Sequence, residues 1–269
     1  MEIGLPVRYY RAVPSGRPQG LVEEKWALDP AKTALVALHC WNIGCPGGIP
    51  APEQFWVFVG SQQNHVLMWQ IVTEQIAPAL AAARQVGMAV VHVQPEQIAN
   101  RYRELQPPLP PAPAPGGGGP GPISDHAVRR AQRVHGEGYS EWEGWERLDA
   151  AEPARPQPGE MMIVTTEQLD AWLRSRGIDT LLYMGFCTNL CILDSPAAMR
   201  ALAGLGYRCV ILREATMAVE FPDTLEAMVH TQAALRYIEA WVGYSASVGD
   251  FLAGCRAAAG GEGVGEGRG

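Results

Sequence analysis

The chain has 269 residues, 47% of them hydrophobic, and a formal net charge of −7. That length buries a large core without disulfide or metal staples. The acidic balance, with no basic block, excludes the concentrated Lys/Arg surface that nucleic acids and anionic membranes require. The six cysteines, at 40, 45, 187, 191, 209 and 255, form no CxxC pair and read as reduced thiols. No apolar run approaches the roughly 20 residues of a membrane span, and the polar, Pro/Gly-rich start is unlike a secretory leader. Cytoplasmic residence is the resulting expectation.

Residues 1–30 read as an irregular arm, with Arg8, Tyr9, Tyr10 and Arg11 placed to lie over a neighbouring surface or subunit. ALVAL (34–38) is apolar throughout, as in a strand buried on both faces, and it runs into HCWN. GCPGGIPAP then reads as a loop. From Ser61 to Val86, residues Val66, Trp69, Ile71, Ile76, Leu80 and Ala83 fall near one broad helical face. Pro78 predicts a kink or split near 75–77. Gly87 ends this helix, and MAVVHVQ (88–94) is a second buried strand, completing a βαβ unit.

Residues 102–159 read as an insertion, either a surface excursion or a lid. Its stretch 106–122 is too rich in Pro and Gly to pack a core, and a short helix is expected at 125–134. Tyr139, Trp142 and Trp145 either pack this excursion onto the body or cap a site. The pattern then becomes regular. MMIVT (161–165) is a strand, Thr165 and Gln168 form a capping box for a helix over 167–176, and Gly177 stops it. TLLYMGF (180–186) is a strand, followed by a turn and a helix that takes Pro196 in its first turn or is kinked by it. YRCVILR (207–213) is another strand, 222–240 a helix, WVGYSA a short strand, and 247–257 a closing helix; residues 258–269 have the composition of a disordered tail. One domain over 1–257 is expected, a three-layer αβα fold on a doubly wound parallel sheet of about six strands.

Such sheets bind ligands at the carboxyl ends of their strands. The candidates there are His39 to Asn42, Gln94 to Gln97, Thr165, and Cys187 to Cys191. Cys191 follows a buried strand and opens a helix, where unpaired N–H groups favour thiolate and can receive an oxyanion. Taken alone, a cysteine in such a place is more often a small buried hydrophobe.

KTALVALHCWN, GMAVVHVQPEQ, LRSRGIDTLLYMGFCTNLCILDSP and LGYRCVILREATMA together resemble the isochorismatase-like cysteine hydrolases, over residues 31–100 and 160–257. The superfamily includes nicotinamidase, N-carbamoylsarcosine amidohydrolase, ureide and biuret hydrolases, and isochorismatase. The resemblance implies strand order 3-2-1-4-5-6, Cys191 as nucleophile, and a non-proline cis peptide at Phe186–Cys187. That peptide would aim the Cys187 N–H, with that of Cys191, at the substrate oxygen. A dimer or tetramer and a small-molecule substrate are likewise implied, and no cofactor. The family's Asp general base after the first strand is replaced by His39, and the Lys expected after the third by Thr165. Lys25 and Lys32 are the only lysines in the chain.

A Cys191–His39 dyad is chemically sound, since neutral imidazole is a common base for thiols. Asn42 or Gln94 would orient the ring or the substrate, and Trp41 and Phe186 would line the pocket. VHVQPEQ lacks the Asp-x-His group through which nicotinamidases of the family bind metal, so no metal site is expected. His92 is expected in the core, and His65, His126, His135 and His230 as surface or satisfied residues. Thr188 and Asn189 are expected to cap the helix after Cys187. The leading expectation is hydrolysis of an amide or ureide C–N bond through a thioester. Its rival is a degenerate relative serving as a ligand-binding or scaffold protein. Vinyl-ether hydrolysis of the isochorismatase kind is disfavoured by the missing Asp.

Overall fold

The computed structural model describes residues 2–14, 16–108, 124–137 and 142–260. Most of the Pro/Gly stretch, Tyr139 and residues 261–269 lie outside the described residues. In chain order the elements are β1 (Ile3–Arg11), β2 (Gly20–Leu28), β3 (Thr33–Leu38), α1 (Gln62–Ile71), α2 (Ala77–Gln85), β4 (Ala89–Val93), α3 (Glu96–Ala99) and α4 (Ser124–His135). They continue with β5 (Met161–Ile163), α5 (Thr166–Arg176), β6 (Thr180–Phe186), α6 (Cys191–Asp194), α7 (Met199–Gly204), β7 (Arg208–Met217), α8 (Val229–Trp241), β8 (Tyr244–Ala246) and α9 (Val248–Gly260).

Among the described residues one sheet runs β2-β1-β8-β7-β6-β3-β4-β5. Its stretch from β8 to β5 is parallel throughout. Numbered by themselves, those six strands have the expected order 3-2-1-4-5-6. All six residues of β3 are buried, and they alternate between two cores. Leu35 and Ala37 join the core with α2 and α9, while Ala34, Val36 and Leu38 join the core with α5 and α7. Each large aliphatic side chain so buried contributes about 1.5–3 kcal/mol, so a parallel strand with an apolar run fits only at the sheet centre.

The arm at 1–30 departs from expectation. It is a β-hairpin, β1 pairing antiparallel with β2 along its length and with β8 at Arg8↔Ser245. Ile3, Leu5 and Val7 are buried in alternation. Pro6 stands opposite Lys25 of β2, on a strand whose register with β8 is a single pair at Arg8. Arg8 Nε donates to the buried Glu239 carboxylate at 2.7 Å, tying the hairpin to α8.

The long helix spans Gln62–Gln85, 24 residues with a hydropathy sufficient by length and composition to cross a membrane. Here its Val72, Ile76, Ala79 and Leu80 are packed into the core. It is interrupted by a π-helical turn at Val72–Ile76 just before Pro78, since proline has no N–H for the preceding turn. The Thr165–Gln168 capping box opens α5, and Gly177, at φ 65°, closes it.

Two helices are shorter than expected. The segment after Cys187 breaks into α6 and α7 around Pro196 and Ala197, where Tyr183 Oη donates to the Ala197 carbonyl at 2.9 Å. The helix expected from 222 begins at Val229. Buried Glu220 accepts from the Thr231 N–H at 2.7 Å and the His230 N–H at 3.2 Å, capping the helix at that point.

Candidate active site

Gly185 controls how β3 and β6 end together. A Cβ there would lie 1.9 Å from the Leu38 carbonyl oxygen, and its φ is +117°, so only glycine allows this approach. Beyond Leu38 the chain turns at His39, with φ 52°. The His39 N–H donates to the Val93 carbonyl at 3.1 Å. Beyond Phe186 the peptide to Cys187 is cis, as the resemblance implies.

His39, Cys187 and Cys191 border one cavity of about 60 Å3, several times the room one water needs. Trp41, Met68, Trp69 and Val72 form much of its wall, and Phe186 and Leu190 flank Cys191. Trp41 stacks on the His39 ring, with centroids 5.0 Å apart and planes 26° apart. Cys45 and His65 also line the cavity. Among the described residues, no three His, Cys, Asp or Glu side chains converge as metal ligands do.

The N–H groups of Cys187 and Cys191 donate to no backbone carbonyl among the described residues. Both lie close enough to the Cys191 thiol to favour its ionised form, but burial outweighs them and raises it above the usual thiol range. The expected depressed thiol is therefore not found at rest. The physical reason is that burial outweighs the two N–H groups, and α6, a single turn, adds little macrodipole against it. Burial pushes His39 down to about 4, and its Nδ1 has no partner among the described residues. The resting pair is a neutral thiol and a neutral imidazole.

The remaining candidates are engaged elsewhere. Gln94 Oε1 accepts from Trp41 Nε1 at 2.8 Å, so it fixes the indole that stacks on His39. Asn42 Oδ1 accepts from the Asp149 N–H at 2.9 Å, pinning the insertion to the strand end. The Thr165 hydroxyl accepts from the Gln168 N–H at 3.2 Å as the cap of α5. Neither Asn42, Gln94 nor Thr165 borders the cavity. Thr188 pairs with Thr216 at 2.7 Å and Asn189 accepts from the Val219 N–H at 2.9 Å, so both tie the turn to β7 instead of capping a helix. Trp142 and Trp145 pack on Phe55, with centroids 5.6 and 5.2 Å from its ring, behind the cavity wall.

His92 is buried, its Nε2 2.8 Å from Glu160, as its core placement required. His65, expected on the surface or satisfied, is instead 3% exposed, and its Nε2 has no partner among the described residues. Burial lowers it to about 4. His39 and His65 thus resist protonation only when the protein is folded. Their stabilising contribution is complete above pH 6.5 and is lost as pH falls toward about 4. The unfolding free energy from urea titration is expected to decline across that window, by up to about 3 kcal/mol per histidine, and the midpoint with it. In His65→Phe the decline should be about half as steep; a wild-type midpoint level from pH 7 to 4.5 would contradict the burial of both neutral rings.

The isochorismatase domain model matches residues 54–242. The chain is 31% identical to a ureidoacrylate amidohydrolase RutB of Stutzerimonas stutzeri (strain A1501), over 85% of this chain and 84% of that protein. It is 30% identical to the RutB of Variovorax paradoxus (strain S110), over 85% and 83%. The crystal structure of a cysteine hydrolase from Pseudomonas syringae pv. phaseolicola 1448A superposes with a TM-score of 0.55 at 19% identity, covering 87% of this chain and 96% of that one. The matched domain and these relatives agree, and the chain belongs to the isochorismatase family.

Proposed function

We propose that the protein hydrolyses a non-peptide C–N bond of a small amide or ureide, with Cys191 as nucleophile and His39 as base. The observation that carries this reading is the meeting of the Cys191 thiol, the His39 ring and two backbone N–H groups without a carbonyl partner, on residues bordering one cavity. The amidohydrolase relatives support the bond class.

As Cys191 Sγ bonds to the carbonyl carbon, its proton passes to His39. The Cys187 and Cys191 N–H groups receive the developing oxyanion. Collapse breaks the C–N bond, and His39 returns the proton to the departing nitrogen. Water, deprotonated by His39, then attacks the thioester; the C–S bond breaks and the thiol regains its proton. A panel of amides and ureides tests this reading. Ammonia or amine release is expected, with an acyl or carbamoyl mass on the Cys191 peptide after acid quench. Turnover with the adduct on another residue would assign the nucleophile elsewhere.

A further inference from the structure

We infer that this cavity selects an uncharged substrate whose acyl group is apolar, and that His65 supplies a polar contact to it. The inference takes its bond chemistry from the C–N hydrolase reading, but the selection rests on the cavity itself.

Among the described residues that border the cavity there is no Lys, Arg, Asp or Glu. The two histidines that do border it are neutral near pH 7, because burial holds each at about 4. A carboxylate entering this space would lose its hydration without gaining a cation. An alkyl or aryl group would instead meet Trp41, Met68, Trp69 and Val72. The curated relatives are named for ureidoacrylate, a carboxylate; this wall offers such an ion no counter-charge.

His65 is the polar exception. It sits on α1, not at a strand end, so nothing in the fold places it among the residues of the bond-breaking step. Gly44 packs against its Cβ–Nδ1 edge: a Cβ at Gly44 would fall 2.6–2.7 Å from ring atoms, and Gly44 adopts φ +69°. Glycine at 44 therefore lets the ring seat there, with Nε2 at the far end of the imidazole and without a protein partner. A buried polar atom in that state calls for a partner. A neutral amide supplies both a donor and an acceptor, either of which suits one tautomer of the ring.

Calorimetry on the full-length Cys191→Ala protein at pH 7.5 separates binding from turnover. The probes are butyramide and benzamide against their carboxylate-bearing counterparts, succinamate and terephthalamate. Each neutral amide is expected to bind at least about tenfold more tightly than its charged counterpart, a gap of about 1.4 kcal/mol or more. His65→Phe should weaken the neutral amides roughly five- to tenfold, the range of one lost hydrogen bond, while leaving toluene binding unchanged. Leu190→Lys, placed at a position 42% exposed and so tolerant of a charged side chain, should narrow or reverse the preference against carboxylates. Equal or tighter binding of the carboxylates overturns the inference, as does failure of both neutral amides to bind or unchanged amide affinity in His65→Phe. If the neutral amides bind with the expected preference but wild-type protein releases no ammonia from them, the hydrolase reading fails while the cavity's selectivity stands.

Discussion

Cys191→Ala is expected to lower turnover by about 10^4-fold or more while leaving the fold in place. The thiol borders the cavity and meets only the backbone N–H groups of Cys187 and Cys191, so a methyl group replaces it with little disturbance of its surroundings. The unfolding free energy in urea should change by less than about 1 kcal/mol, because only a partly buried sulfur is removed. Cys191→Ser sharpens the result. It keeps an oxygen nucleophile of similar size but one far harder to deprotonate, so it too should be nearly inactive. The other five cysteines are also free thiols, and burial holds Cys40 and Cys209 up at about 12. Retained turnover in Cys191→Ala would therefore mean that chemistry occurs without a thiol at this position, and the thioester route would be wrong.

Much of this arrangement is legible in the residues themselves. The unbroken apolar runs at β3 and β6 place two strands at the sheet centre, and the Thr165–Gln168 box and Gly177 bound α5 as read. The hairpin at the N-terminus is hidden because Gly4 and Pro6 interrupt the usual strand composition, although Ile3, Leu5 and Val7 alternate. The start of α8 depends on Glu220, a cap from outside the helix that no local pattern announces. At the site, strand ends bring His39, Trp41, Phe186, Cys187 and Cys191 to one cavity. Strand-end position alone did not distinguish them from Asn42, Gln94 and Thr165, whose polar groups are taken by tertiary and capping contacts. His65 was missed because it lies within a helix and far in sequence from any ligand pattern. Composition gives no signal for it: Asn64 and His65 are buried, yet the same helix also carries Gln62, Gln63 and Gln70.

His39→Asn is expected to cost about 10^2- to 10^4-fold in kcat, the usual contribution of a positioned base. The size of the effect follows from the resting protonation states. Burial holds His39 at about 4 and raises the Cys191 thiol above its ordinary range, so both groups favour their neutral forms at rest. The proton therefore passes to His39 as the carbonyl carbon is attacked. A sluggish thiol raised by burial, which suggests a degenerate site when considered alone, is also compatible with such a mechanism. The pH dependence distinguishes the two. Wild-type kcat should fall only as pH drops through about 4, where His39 takes up a proton, and should be level through neutrality. In His39→Asn that acid limb disappears and the residual rate should rise with pH through 9 as hydroxide replaces the base. Stopped kinetics from pH 3.5 to 10, corrected for acid unfolding by the urea series, read both profiles. A wild-type limb near pH 6.5 would mean that His39 is solvated during turnover, and identical profiles in the two proteins would remove it from the reaction.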